Sequence, residues 1–164
     1  MKLSKILNGV NFESNKKFED FEIRSMSIDS RKIKPKSLFF CLNGIEFDGH
    51  NIAFKAVKAG ACCLVAERFL GVACLQVTVK DCREAMAYMA SNFYKNPTTK
   101  LKIIGICGTN GKTSSTYMLK TMLEGAHFKV GVIGTIGVVV DNKKYNANAP
   151  AEEPKNDTAT DYTT

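Results

Sequence analysis

The segment Gly105 to Thr116 reads GICGTNGKTSST and brings together the residue types that hold phosphate. Gly108 and Gly111 permit backbone angles that side chains forbid. Successive amides between them can turn inward on anionic oxygens. Lys112 adds an ammonium that reaches terminal phosphates. The hydroxyl of Thr113 can ligate magnesium, which otherwise keeps water and phosphate oxygens. Gly108-Thr109-Asn110-Gly111-Lys112-Thr113-Ser114 is therefore a candidate phosphate loop. It misses the widespread pattern G-x-x-x-x-G-K-[ST], because counting back from Gly111 lands on Ile106 where that pattern has glycine. A plain strand–turn–helix connection could carry the same Gly-Lys pair, so the flanking elements decide.

LKIIGIC (101–107) is nearly continuous in apolar residues, as expected of a buried parallel strand. TSSTYMLKTMLEGA (113–126) reads as a helix with Tyr117, Met118, Leu119, Met122 and Leu123 on its apolar side. Its positive end would face the anion held by the loop. KVGVIGTIGVVVD (129–141) is strand-rich, with a break at Gly134. Strand, helix and strand in this order predict a right-handed parallel unit. Residues 142–164 are polar and contain Pro150 and Pro154, which predicts a loop or tail.

The other half of the chain has the same α/β character. EIRSMSID (22–29) predicts a half-buried strand, and LFFCL (38–42), ACCLVAE (61–67) and ACLQVTV (73–79) predict three more. NGIEFDGH (43–50) is a loop. NIAFKAVKAG (51–60) reads as a helix capped by Asn51 and ended by Gly60. Asp81 caps a further helix, with Glu84 three residues on and a stripe of Cys82, Ala85, Met86, Met89, Ala90 and Phe93. Pro97 breaks that helix, so the chain divides into 1–97 and 98–164.

The 164 residues carry a formal charge of +7, but no basic run exceeds two, as in Lys16-Lys17, Arg31-Lys32 and Lys143-Lys144. A solvated surface explains this better than a nucleic-acid face, which needs clustered charge and aromatic stacking sites. The six cysteines include no C-x-x-C pair and sit mostly in apolar runs, which points to free thiols in a reducing compartment. No apolar window is long enough for a membrane span, and the first residues lack a signal-peptide pattern, so the cytosol is the expected location. Oligomeric state is not readable.

The stretch GICGTNGKTSSTYMLKTMLEGAHFKVGVIGTIG resembles the central domain of the Mur ligases, the ATP-dependent amino-acid-adding enzymes of peptidoglycan synthesis. Their loop, G-T-x-G-K-T-[ST], accounts for the missed spacing; folylpolyglutamate synthases share a cousin with G-K-G-S. SIDSRKIKPKSLFFCLNGIEFDGHNIAFKAVKAGACCLVAE resembles the UDP-binding domain of the same family, with D-S-R, L-F-x-x-L-x-G and D-G-H elements in order. GVIGTIG favours the enzymes adding the third amino acid, diaminopimelate or lysine, to UDP-N-acetylmuramoyl-L-alanyl-D-glutamate over those adding the terminal dipeptide.

The resemblance implies a small N-terminal α/β UDP-binding domain, then the first strand, phosphate loop, helix and strand of a parallel-sheet ATPase domain. It implies ATP held by Gly108 to Ser114 with Lys112 catalytic, and Mg2+ on Thr113. It implies Ile28, Ser30, Ile45, Glu46 and Phe47 on the sugar nucleotide. Residue by residue, Ile28 could instead be core, Ser30 a turn cap, and Asp29 with Arg31 a local salt bridge. Asp48-Gly49-His50 reads as a turn shaping the pocket, and a lone His50 is no metal signal. Thr163 and Thr164 match a substrate-touching Thr-Thr-Pro stretch, which suggests a sequence that stops inside a longer ligase. The family's acidic magnesium ligand, modified lysine, histidine and amino-acid-gripping C-terminal domain have no counterpart here, so no turnover is expected. A non-catalytic nucleotide-binding or regulatory module is the alternative.

Overall fold

The computed structural model describes residues 1–17, 19–44, 48–141, 143–145 and 151–152. They form two units, one over Met1–Thr99 with the strand at 151–152, the other over Lys100–Ala149.

In the first unit, β2 (Ser25–Ser27), β3 (Ser37–Phe40), β4 (Ala61–Ala66) and β5 (Leu75–Thr78) pair in parallel as β5-β4-β3-β2. At the edges, β1 (Glu13–Ser14) runs antiparallel to β5, and β9 (Ala151–Glu152) antiparallel to β2. Parallel sheets need cover on both faces. Leu38 and Phe40 pack with Cys63, Val65 and Val77 against α1 (Leu3–Ile6) and α3 (Cys82–Phe93). The alternating residues Phe39, Cys41, Leu64 and Ala66 pack instead with Ala53 and Ala56 of α2 (Ala53–Lys58).

Two local expectations change. β2 is not half-buried: Ser25, Met26 and Ser27 are all buried, because it lies between β3 and β9. Its Ser25 hydroxyl is satisfied by Ser37 Oγ at 2.6 Å. Nor does Asn51 cap α2. A 3-10 turn over Gly49–Ile52 comes first, and its cap is Asp48, whose carboxylate accepts from the His50 amide. The start of α2 has no side-chain cap. At α3 the expected cap forms, with Asp81 Oδ1 accepting from the Arg83 and Glu84 amides at 2.7 and 3.0 Å.

The second unit holds α4 (Lys112–Gly125) and an antiparallel meander of β6 (Gly131–Gly134), β7 (Gly137–Val140) and β8 (Lys143–Tyr145). The expected parallel strand at 101–107 does not form, and Leu101, Ile103 and Ile104 are exposed. Such a strand is buried only between neighbours, and no described strand pairs with it. β6 turns back on β7 through Val132↔Val139, a short closure of low entropic cost, with Gly137 taking φ 114°. Met118 and Met122 of α4 are likewise exposed, while Lys120 is buried and donates to Glu124 Oε2 at 2.6 Å. Within the stretch read as loop or tail, 143–145 form β8 and 151–152 form β9.

Candidate functional site

Each unit carries one candidate site. In the second, α4 begins at Lys112, one residue before the expected start, and its N-cap is Gly111 at φ 75° with no side-chain cap. That left-handed angle favours glycine. Lys112 Nζ donates to the carbonyls of Gly108 at 2.5 Å and Thr109 at 3.2 Å. The ammonium is thus folded back onto the carbonyls of its own loop. Gly108, Thr109, Asn110, Gly111, Lys112, Thr113 and Ser114 are all exposed. The first-turn amides of α4 have no intrahelical partner, and the helix dipole adds partial positive charge there. Open amides, a dipole and an ammonium within a few residues suit a polyphosphate.

In the first unit, β2 and β3 are parallel neighbours, so the segments leaving their carboxyl ends share one edge of the sheet. Open α/β sheets bind ligands at that edge. Ile28, directly after β2, is 54% exposed, which excludes the core reading. Ser30 is half-buried and opens a 3-10 turn over Ser30–Lys32 whose cap is Asp29, not Ser30 itself. The Asp29–Arg31 pair does form, with Nε and NH2 of Arg31 each donating at 3.0 Å. The Arg31 guanidinium, then its amide, holds the Asp29 carboxyl below the usual range. Ile45, Glu46 and Phe47, and Thr163 and Thr164, lie outside the described residues.

Beside this edge stands a cluster that sequence reasoning only half found. His50 is buried, with Nδ1 at 2.5 Å from Asp48 Oδ1 and Nε2 accepting from the Glu67 amide at 3.2 Å. Arg68 NH2 donates to Asp48 Oδ2 at 3.1 Å, and Arg83 NH2 to the Asn43 carbonyl at 2.9 Å. D-G-H was visible as a motif. Glu67, Arg68 and Arg83 carry no local signal, because only the topology brings them there. Among the described residues no group of three or more His, Cys, Asp or Glu could hold a metal ion. Burial pushes the Cys41 and Cys82 thiols up to about 12, so neither is a ready nucleophile. The cysteines are free; Cys41, Cys63 and Cys82 are buried, whereas Cys107 is exposed. No helix among the described residues is long and apolar enough to cross a membrane.

A parallel α/β unit in one part of the chain, and a glycine turn with its lysine at a helix start in the other, are features of an α/β nucleotide-binding class of protein. Two family models narrow this class: the Mur ligase family catalytic domain matches residues 22–94, and the Mur ligase middle domain matches 106–162. The chain belongs to the Mur ligase family. It is 46% identical over 157 residues to UDP-N-acetylmuramoyl-L-alanyl-D-glutamate--2,6-diaminopimelate ligase 1 of Clostridium acetobutylicum, covering 93% of this chain and 32% of that one. It is 43% identical to the ligase of the same description in Clostridium botulinum, with the same two coverages. The chain therefore spans about a third of the length of the curated relatives it matches. Among solved structures, MurF from Acinetobacter baumannii superposes with a TM-score of 0.66 at 24% identity, over 82% of this chain and 30% of that one. A UDP-N-acetylmuramoyl-L-alanyl-D-glutamate--2,6-diaminopimelate ligase superposes at 0.60 and 23%, over 77% and 26%. At these identities the likeness concerns the fold.

Proposed function

We propose that the chain supplies the nucleotide-sugar-binding and phosphate-loop parts of a cytoplasmic ATP-dependent ligase. The reaction adds diaminopimelate to UDP-N-acetylmuramoyl-L-alanyl-D-glutamate. In this reading residues 1–97 bind the UDP-sugar and 98–164 begin the ATP-binding domain. Diaminopimelate, rather than lysine, is the residue named by the relatives at 46% and 43% identity. The observation that carries the reading is the Lys112 ammonium folded over the Gly108 and Thr109 carbonyls at the start of α4.

ATP phosphorylates the D-glutamate carboxylate of the sugar-linked dipeptide, and the incoming amine displaces phosphate from the acyl phosphate. Lys112 and the amides of 108–114 stabilise the charge that builds on the transferring group. The Thr113 hydroxyl is exposed and takes part in none of the hydrogen bonds described, so it fits as one oxygen ligand of Mg2+. When bound, Mg2+ neutralises phosphate charge. Ile28, Ser30 and the segment 45–47 hold the UDP-sugar, and Thr163 and Thr164 touch the substrate.

ATP titration of the full chain and of Lys112→Ala tests the loop. Losing a charge-assisted contact is expected to weaken ATP by about 10- to 100-fold. Equal affinities would remove Lys112 from the site.

A further inference from the structure

We propose that β9 is a removable guard on the outer edge of β2, and that the edge it covers takes up β2 of a second copy of this chain when the guard is off.

Successive residues of a strand turn their N–H and C=O groups to opposite sides, and this fixes which residues of β2 face outward. The Arg24 amide donates to the Lys36 carbonyl at 3.0 Å, so Arg24 and Met26 serve the β3 side. Ile23, Ser25 and Ser27 face the other way. Their cover comes from two distant parts of the chain. At Ile23 it is the first residue: the Ile23 amide donates to the Met1 carbonyl at 2.8 Å, and the Met1 ammonium donates to the Ile23 carbonyl at 2.7 Å. At Ser25 and Met26 it is β9, in the register Ser25↔Glu152 and Met26↔Ala151.

The two covers differ in how firmly they are held. Met1 runs straight into α1, whose Leu3 and Ile6 belong to the core. β9 spans two residues and returns to the first unit only after the whole of Lys100–Ala149. A strand held by two residue pairs at the end of a long excursion lies at the low-stability end of local opening.

Edge strands are blunted by charge, proline, bulges or brevity. The opposite edge of the sheet follows that rule: β1 is two exposed residues, Glu13 and Ser14, with Lys16 and Lys17 close behind. β2 reads Ser-Met-Ser, has no charge and no proline, and pairs with β3 over three consecutive residues. Uncovered, it is a template for strand addition. A second β2 fits it. Laid antiparallel about a two-fold axis with Met26 opposite Met26, each Ser25 stands opposite Ser27 of the other copy. These are the outward-facing residues, so both pairs can exchange amide–carbonyl bonds. Arg24 then stands opposite Ile28, and no like charges meet.

Glu152→Pro in the full chain tests this, because proline removes the amide opposite Ser25 and cannot sit within a ladder. The readouts are amide exchange at Ser25, Ser27 and along β4, and molecular mass by light scattering from dilute to concentrated protein. In the dilute variant Ser25 exchange is expected to rise about tenfold, with β4 protection intact. On concentration the variant should dimerise and regain protection at Ser25 and Ser27, while the wild-type chain stays monomeric. Unchanged Ser25 exchange in the dilute variant would overturn the guard. A freed edge without dimerisation, or a dimer without regained protection at Ser25 and Ser27, would overturn the pairing surface. So would a wild-type chain that dimerises equally, since its edge is closed. If β4 loses protection, Ala151→Gly decides by the same readouts, because it loosens β9 without removing a hydrogen-bond donor.

Discussion

In the first unit Leu38, Phe39, Leu64, Met89 and Phe93 are sealed from solvent, each at 0% exposure; in the second, Ile103 is 70% exposed, Met122 66% and Ile133 84%. Val132 and Val139 are the buried apolar side chains among the second unit's described residues. Both stretches are written in the same alphabet of Ile, Val, Leu and Met. An apolar pattern states what a segment needs; a partner elsewhere in the chain must meet that need. The first unit has helices for both faces of its sheet. In the second, no described strand flanks 101–107, and the glycine-punctuated segment after α4 closes on itself as a meander.

The largest expected effect follows from that contrast. Phe93→Ala opens a cavity in a sealed core and should cost about 3–5 kcal/mol. Ile103→Ala changes a solvent-facing side chain and should stay within about 0.5 kcal/mol. Urea unfolding followed by amide exchange in each unit measures both. An Ile103→Ala cost near that of Phe93→Ala would show that 101–107 is buried in solution, and the comparison would break.

What the sequence made legible was local. The α3 cap needs only Asp81 and two amides within three residues, and the glycine turn with Lys112 at the start of α4 needs only Gly108 to Lys112. The stripe Cys82, Ala85, Met89 and Phe93 is helical spacing and nothing more. The misreadings were non-local. β2 is buried because of β3 and β9, which lie elsewhere in the chain. The letters of 101–107 fit a buried strand, but letters cannot supply neighbours. The candidate site follows the same division. D-G-H is visible in the sequence, whereas Glu67, Arg68 and Arg83 reach it only through the crossover that places β4 beside β3 and α3 beyond it.

A smaller effect sharpens the contrast at the two helix starts. Asp81→Ala removes two bonds to the first turn of α3 and should cost about 1 kcal/mol. Thr113→Ala at α4, whose N-cap makes no side-chain bond, should stay within about 0.5 kcal/mol in stability. Thermal unfolding of both variants reads the pair. Equal losses would mean that the first turn of α4 is held by its own side chains, and its amides would then be less open to phosphate.

The smallest expected effect is a dependence on acid. Asp20, Asp29, Asp48 and Asp81 all lie in the first unit and are all held below the ordinary carboxylate range. For Asp48 the cause is first the His50 amide, then the His50 side chain, with the carboxyl at about 2. A depressed carboxyl stabilises the fold when charged, so its contribution is full above the unfolded value of about 4 and is lost as pH falls towards about 2. In that window the unfolded chain binds more protons, so first-unit stability should fall with falling pH. Solvent screening keeps the amplitude small, because the Asp48 side chain is 26% exposed and Arg68 more so. Urea midpoints of the first unit at pH 5, 4 and 3 follow it, and Asp48→Asn should flatten the descent. Parallel descents in wild type and variant would mean that Asp48 is not the charged hub of its cluster, and the first unit's acid response would then belong to Asp20, Asp29 and Asp81.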